Sequence, residues 1–125
     1  MFRIIIIILS LGFTYLASAQ ENSQKQKIKL VIDTFFEGLH NGDSTLMSKT
    51  LHKNVNIQTT ATNKEGKKML ITDSREKLLT GIANKNPNVS YFEKLLSYDI
   101  KVDGNLASVW TPYEFYANEN FSHCG

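Results

Sequence analysis

Residues 27–62 read KIKLVIDTFFEGLHNGDSTLMSKTLHKNVNIQTTAT, and a change of period inside this stretch decides the fold. Ile28, Val31, Ile32, Phe35, Phe36 and Leu39 recur at i, i+3 and i+4, the spacing of a helix with one apolar side. Asn41-Gly42 supplies its stop. Asp43 or Ser44 can cap a second, shorter helix carrying Leu46, Met47 and Leu51. The period then falls to two: VNIQTTAT alternates as a β-branched strand.

Working outward, NKEGK reads as a turn and KMLI as the returning strand of a hairpin. Asp73-Ser74-Arg75-Glu76 has capping-box spacing, with an acceptor followed three residues later by a glutamate. It opens a third helix with Leu78, Leu79 and Ile82 on one side, and NKNPN breaks it. Leu96, Tyr98, Ile100 and Val102 alternate with polar neighbours, as a half-buried strand does. Asp103-Gly104-Asn105 turns the chain, residues 106–116 form the next strand, ANEN turns again, and FSHCG begins another. Helices come first and antiparallel strands gather at the end. The expected fold class is therefore α+β, with helices on one face of the sheet.

The first nineteen residues stand outside that fold. A charged MFR, the apolar run IIIIILSLGFTYL and the small residues Ala17-Ser18-Ala19 form a secretory signal, cut before Gln20. The run is short for a bilayer span, which takes about 20 apolar residues. The mature chain is then 125 − 19 = 106 residues, and its formal charge falls from +2 to +1 as Arg3 leaves. The expected location is secreted or periplasmic, with no membrane anchor after cleavage. So small a charge carries no footprint for nucleic acid. Cys124 stands alone, so no internal disulfide is expected, nor a structural zinc site, which takes four ligands. It reads as a buried, inert thiol. No cofactor is expected.

The candidate chemistry lies in the aromatic strands, where alternate residues share a face. One face of residues 110–116 holds Trp110, Pro112, Glu114 and Tyr116; the other holds Thr111, Tyr113 and Phe115. A three-residue Asp-Gly-Asn loop pairs Tyr98 with Trp110, whereas a two-residue Asp-Gly loop sets Tyr98 opposite Val109. Pro112 can mark a bulge that exchanges the faces. Across ANEN, Tyr116 is expected opposite Phe121 and Glu114 opposite His123. A carboxylate beside an imidazole fixes its tautomer and raises its basicity, as a general base or a ligand clamp requires. The plainer reading is an ordinary cross-strand ion pair, contributing about 0.2–1 kcal/mol. Phe35 and Phe36 read as core. His40 and His52 fall at helix ends, where a cation favours the dipole.

Three stretches, IDTFFEGLHNGDSTLMSKTLHKNVNI, ITDSREKLLTGI and VDGNLASVWTPYEFYANENFSHCG, together resemble the nuclear transport factor 2-like superfamily. The polyketide-cyclase-like and lumazine-binding-like branches are the most similar. The resemblance covers residues 24–125. It implies a cone: a curved antiparallel sheet packed on N-terminal helices, with a small-molecule pocket inside. It also implies strand sequence beyond Gly125, so the last strands are expected to be missing and the domain incomplete at that end. Comparison with the ketosteroid isomerases of that superfamily places Thr59 at the general-base position. Threonine is no proton shuttle at neutral pH. The same comparison favours the Tyr98–Trp110 register, with Trp110, Glu114 and Tyr116 facing the cavity.

The expected function is an exported domain that binds a small, flat or apolar molecule without established catalysis. Its expected ligand contacts are Tyr98, Trp110, Glu114, Tyr116 and His123. One alternative is a small isomerase, dehydratase or hydrolase using Glu114 and His123. Another is a self-association module, a homodimer formed through the sheet face.

Overall fold

The computed structural model describes the backbone of residues 2–125 and the side chains of residues 20–125. The secretory signal read at residues 1–19 lies outside the residues whose side chains are described. Among the described residues, no helix is long and apolar enough to cross a membrane.

Helix α1 (Phe2–Asn41) ends where Gly42 turns left-handed, at φ 69°, a conformation that glycine adopts without strain. Helix α2 (Ser44–Ser48) follows at once. Its cap is Asp43, whose carboxylate accepts the N–H of Leu46 at 2.8 Å. The two helices approach so closely that a Cβ on Gly38 would lie 2.9 Å from the backbone nitrogen of Met47. Met47 is fully buried there, and with Ile82 it forms the buried apolar core of the described residues.

Strands β1 (Ile57–Thr62) and β2 (Lys68–Asp73) make the expected hairpin, Thr59 facing Ile71. Helix α3 (Arg75–Ala83) is capped by Ser74, whose hydroxyl accepts from Lys77 N–H at 3.0 Å. The capping box with Asp73 as cap is therefore not formed; Asp73 instead pairs with Lys77 one turn on. Arg75 ties α3 back to α2, donating to the carbonyl oxygens of Ser48 at 3.0 Å and Leu51 at 3.4 Å.

The final strands depart from the expected meander. An additional strand, β3 (Tyr91–Leu95), precedes β4 (Asp99–Asp103). The single strand expected over residues 106–116 is two, β5 (Leu106–Trp110) and β6 (Tyr113–Ala117), broken at Thr111-Pro112. Proline has no N–H to give a ladder, which places the break. β4 pairs with β5, while β3, β6 and β7 (Asn120–Cys124) form an antiparallel sheet in the order β3-β6-β7. Between Leu95↔Tyr113 and Asp99↔Trp110, the three residues Leu96, Ser97 and Tyr98 oppose only Thr111 and Pro112. That extra residue bends the long hairpin and resets its parity. The architecture is α+β, helices followed by antiparallel strands, without a closed barrel among the described residues. α1 packs against β3 and β4.

Candidate functional site

The two expected pairings that defined the sequence-level site are not formed. Trp110 faces Asp99, not Tyr98, because the β4–β5 loop is Gly104-Asn105, closed by Asp103↔Leu106. Gly104 takes φ 56° at the first loop position, which a two-residue hairpin needs. Trp110 is 68% exposed. Tyr116 does face Phe121, but a bulge on β7 then shifts the register, so Phe115 meets His123 and Glu114 meets Cys124. Glu114 turns to other partners. Its Oε2 accepts from the Tyr116 hydroxyl at 2.8 Å and lies 3.3 Å from Lys94 Nζ. The Tyr116 bond, then Lys94, hold this carboxyl below its ordinary range, and the same bond raises the Tyr116 phenol. Cys124 is exposed, not buried.

Strand alternation sorts these groups onto opposite faces of the sheet. Glu93, Phe115 and His123 share one face, with Phe115 and His123 rings 5.0 Å apart. Phe92, Tyr116 and Phe121 form an aromatic row on the other, beside Lys94 and Glu114. Of the expected ligand contacts, Tyr98 therefore lies against α1, His123 on the Glu93 face, Glu114 and Tyr116 on the reverse face, and Trp110 on the β4–β5 hairpin.

The site that the fold does assemble lies where α1 meets the free edge of β3. A cavity of about 390 Å³ opens there, lined by the α1 residues Asp33, Phe36, Glu37 and His40 and by Phe92, Glu93, Leu95 and Tyr98. Ile32, Phe36 and His40 fall four apart on α1 and share one helical face. This sets His40 in line with the apolar stripe at its last turn. As the edge strand of its sheet, β3 has a backbone N–H without a strand partner, and His40 Nε2 accepts the one at Glu93 at 2.9 Å. The imidazole is thereby neutral, with its proton on Nδ1. Burial, then the charge of Lys85, lowers the His40 pKa. The sequence assigns this histidine to the helix dipole as a cation; in the fold it is a neutral acceptor closing a sheet edge.

At the other end of the cavity the Tyr98 hydroxyl donates to Asp33 Oδ1, and Lys29 Nζ donates to Asp33 Oδ2 at 2.6 Å. Lys29 also stands 4.3 Å from the Tyr98 ring centroid. Burial acts to raise the Asp33 pKa, but the bonds from Lys29 and Tyr98 outweigh it and the net shift is downward. Burial and the same bond push the Tyr98 phenol up. Glu93 is different: burial pushes its carboxyl up, and His123 only partly draws it back. Sequence reasoning missed Glu93 and the cavity role of His40. The i+4 alignment of His40 with Phe36 was the available signal. Among the described residues no three or more His, Cys, Asp or Glu side chains gather as metal ligands.

One solved structure superposes on this arrangement with a TM-score of 0.52. It is an NTF2-like protein of unknown function from Shewanella baltica OS155, 17% identical, with 82% of this chain and 94% of that one covered. The chain has a nuclear transport factor 2-like fold. At that identity the likeness is one of fold alone. No protein-family model and no curated protein matches the chain. In the nuclear transport factor 2-like frame, the cavity lies between the long first helix and the sheet.

Proposed function

We propose that this nuclear transport factor 2-like chain is an exported binder of a small, flat, largely apolar molecule. The binding place is the cavity between α1 and β3. The observation that carries this reading is the company of groups there: the rings of Phe36, His40, Phe92 and Tyr98 beside a few convergent polar groups, in a volume of about 390 Å³. Small-molecule sites typically have about 300–1,000 Å³ and this mixture of apolar walls with few polar anchors. Export follows from the signal sequence at residues 1–19. In this reading the ligand lies against Tyr98, Phe36, His40 and Phe92.

The test is a thermal-shift screen of flat heterocycles against the whole chain and a Phe36→Ala variant. Compounds that stabilise the parent and lose most of that effect in the variant support the reading. Stabilisation that survives Phe36→Ala unchanged places the ligand elsewhere.

A second reading, association of two copies through the sheet, is favoured by the row Phe92, Tyr116 and Phe121, two of whose rings are exposed. Exposed apolar patches of this kind mark contact surfaces. A concentration-dependent sedimentation coefficient that becomes constant in Phe121→Ser is its signature. Glu114 and His123, the pair expected for proton-transfer chemistry, are not opposite one another.

A further inference from the structure

The cavity between α1 and β3 carries an imbalance of charge that shape alone does not use. Its lining includes three carboxylates, Asp33, Glu37 and Glu93, against one ammonium, Lys94. Asp33 is matched already, by Lys29 at 2.6 Å. Lys94 is drawn toward Glu114, 3.3 Å away on the reverse face of the sheet. Lys85, the other cation nearby, donates to the backbone oxygen of His40 at 3.0 Å and lies over the ring of Tyr91. Among the described residues, Glu37 and Glu93 make no salt bridge, and the one charge that acts on Glu93 is His123, on the same sheet face, which only partly offsets its burial. Glu93 is also half-buried, and burial raises its pKa, so its carboxylate gains from any cation brought beside it.

The apolar lining suits the same visitor. The Phe36 and His40 centroids are 6.3 Å apart and the His40 and Phe92 centroids 4.8 Å, a run of three rings along the cavity wall. Aromatic faces attract cations, the more so where water is excluded. An anionic ligand would meet two carboxylates and no unengaged ammonium. A neutral apolar ligand would strip water from Glu93 and give it nothing in return, which is unfavourable.

We infer that the molecule taken by this cavity is an organic cation, a protonated amine or amidinium on a flat apolar body. The charged group sits against Glu37 and Glu93 at the β3 edge, and the body lies on the α1 rings of Phe36 and His40. This rests on the binding reading above and adds the ligand's charge to it.

Three probes of one shape and different charge test it: 2-naphthylmethylammonium, 2-naphthylmethanol and 2-naphthoate, titrated calorimetrically into the whole chain near neutral pH. The ammonium is expected to bind at least about tenfold more tightly than the carboxylate, the size of one good charge contact. The formal charge of the whole chain is +2, so a non-specific field would favour the anion instead. Glu37→Gln and Glu93→Gln should each erode the preference about threefold or more. Glu65→Gln, the same charge change in the β1–β2 turn, should leave it intact. Equal affinity for the three probes overturns the inference while leaving the binding reading standing. A cation preference lost equally in Glu65→Gln also overturns it, by assigning the preference to the surface. If no probe binds and the heterocycle screen also yields nothing, the binding reading falls and takes the inference with it.

Discussion

His40 and Glu93 are joined across the seam between α1 and β3: the imidazole Nε2 accepts the Glu93 backbone N–H at 2.9 Å. One hydrogen bond thus closes the sheet edge and fixes the helix against it. Replacing His40 by Ala leaves that N–H without its acceptor and should destabilise the fold by about 1–3 kcal/mol. His40→Phe fills the space without accepting, so it should recover only part of the loss. Chemical denaturation of the three proteins checks the order.

The burial of this imidazole sets a pH dependence. Burial lowers the His40 pKa in the fold, so the unfolded chain takes up this proton first as pH falls. Stability from His40 is complete above the unfolded value, about 6.5. It is lost as pH drops from there to the lower folded value. Glu93 runs the other way: its folded pKa is raised, so its contribution declines as pH rises from about 4.3 to the folded value. Glu93→Gln should therefore melt higher than the parent at neutral pH, by a few degrees at most. A lower melting temperature would mean that the carboxylate is held by partners other than those described.

Asp33 supplies an acid limb. Its pKa is lowered in the fold, so the link to Lys29 and Tyr98 contributes above the ordinary aspartate value, about 3.9. It is lost as pH falls from there through the folded value. Asp33→Asn should flatten that part of the stability profile, and Tyr98→Phe should flatten it less, because Lys29 keeps its bond. Melting temperature against pH for both variants is the measurement.

Two backbone positions give predictions of opposite sign. Gly38→Ala gains helix propensity, worth about 1 kcal/mol. Yet its Cβ would stand 2.9–3.0 Å from the Met47 backbone nitrogen, Met47 Cβ and Asp43 oxygen, backbone that cannot yield cheaply. A net loss of about 1–3 kcal/mol is expected. Glu119 has φ 67° in the two-residue turn after β6, beside Asn118 at φ 49°. Such turns favour glycine at that position, so Glu119→Gly should gain about 1 kcal/mol. Urea midpoints of the two variants decide both.

The sequence made the helices and the α+β order plain because their signals are local. Ile28 to Leu39 carry a full amphipathic period, and Asn41-Gly42 ends it. What escaped was register. Tyr91 and Phe92 stand adjacent, so β3 shows no clean alternation, and the strand that carries Glu93 went unread. The bulge that sets Phe115 against His123 depends on one extra residue in β7, and no local signal marks it. The residues picked from the aromatic strands were then spread over two sheet faces and a hairpin. Among them Tyr98 meets α1, through Asp33, a partner 65 residues away in the chain.

Amide chemical-shift mapping of the whole chain with a stabilising compound from the screen locates the bound ligand. A ligand between α1 and β3 should move the Glu93 amide first, because its N–H is the one held by His40, together with those of Phe36, Glu37 and Phe92. Shifts concentrated instead at Leu106, Trp110 and Phe121, whose side chains are among the most exposed apolar ones, would contradict it.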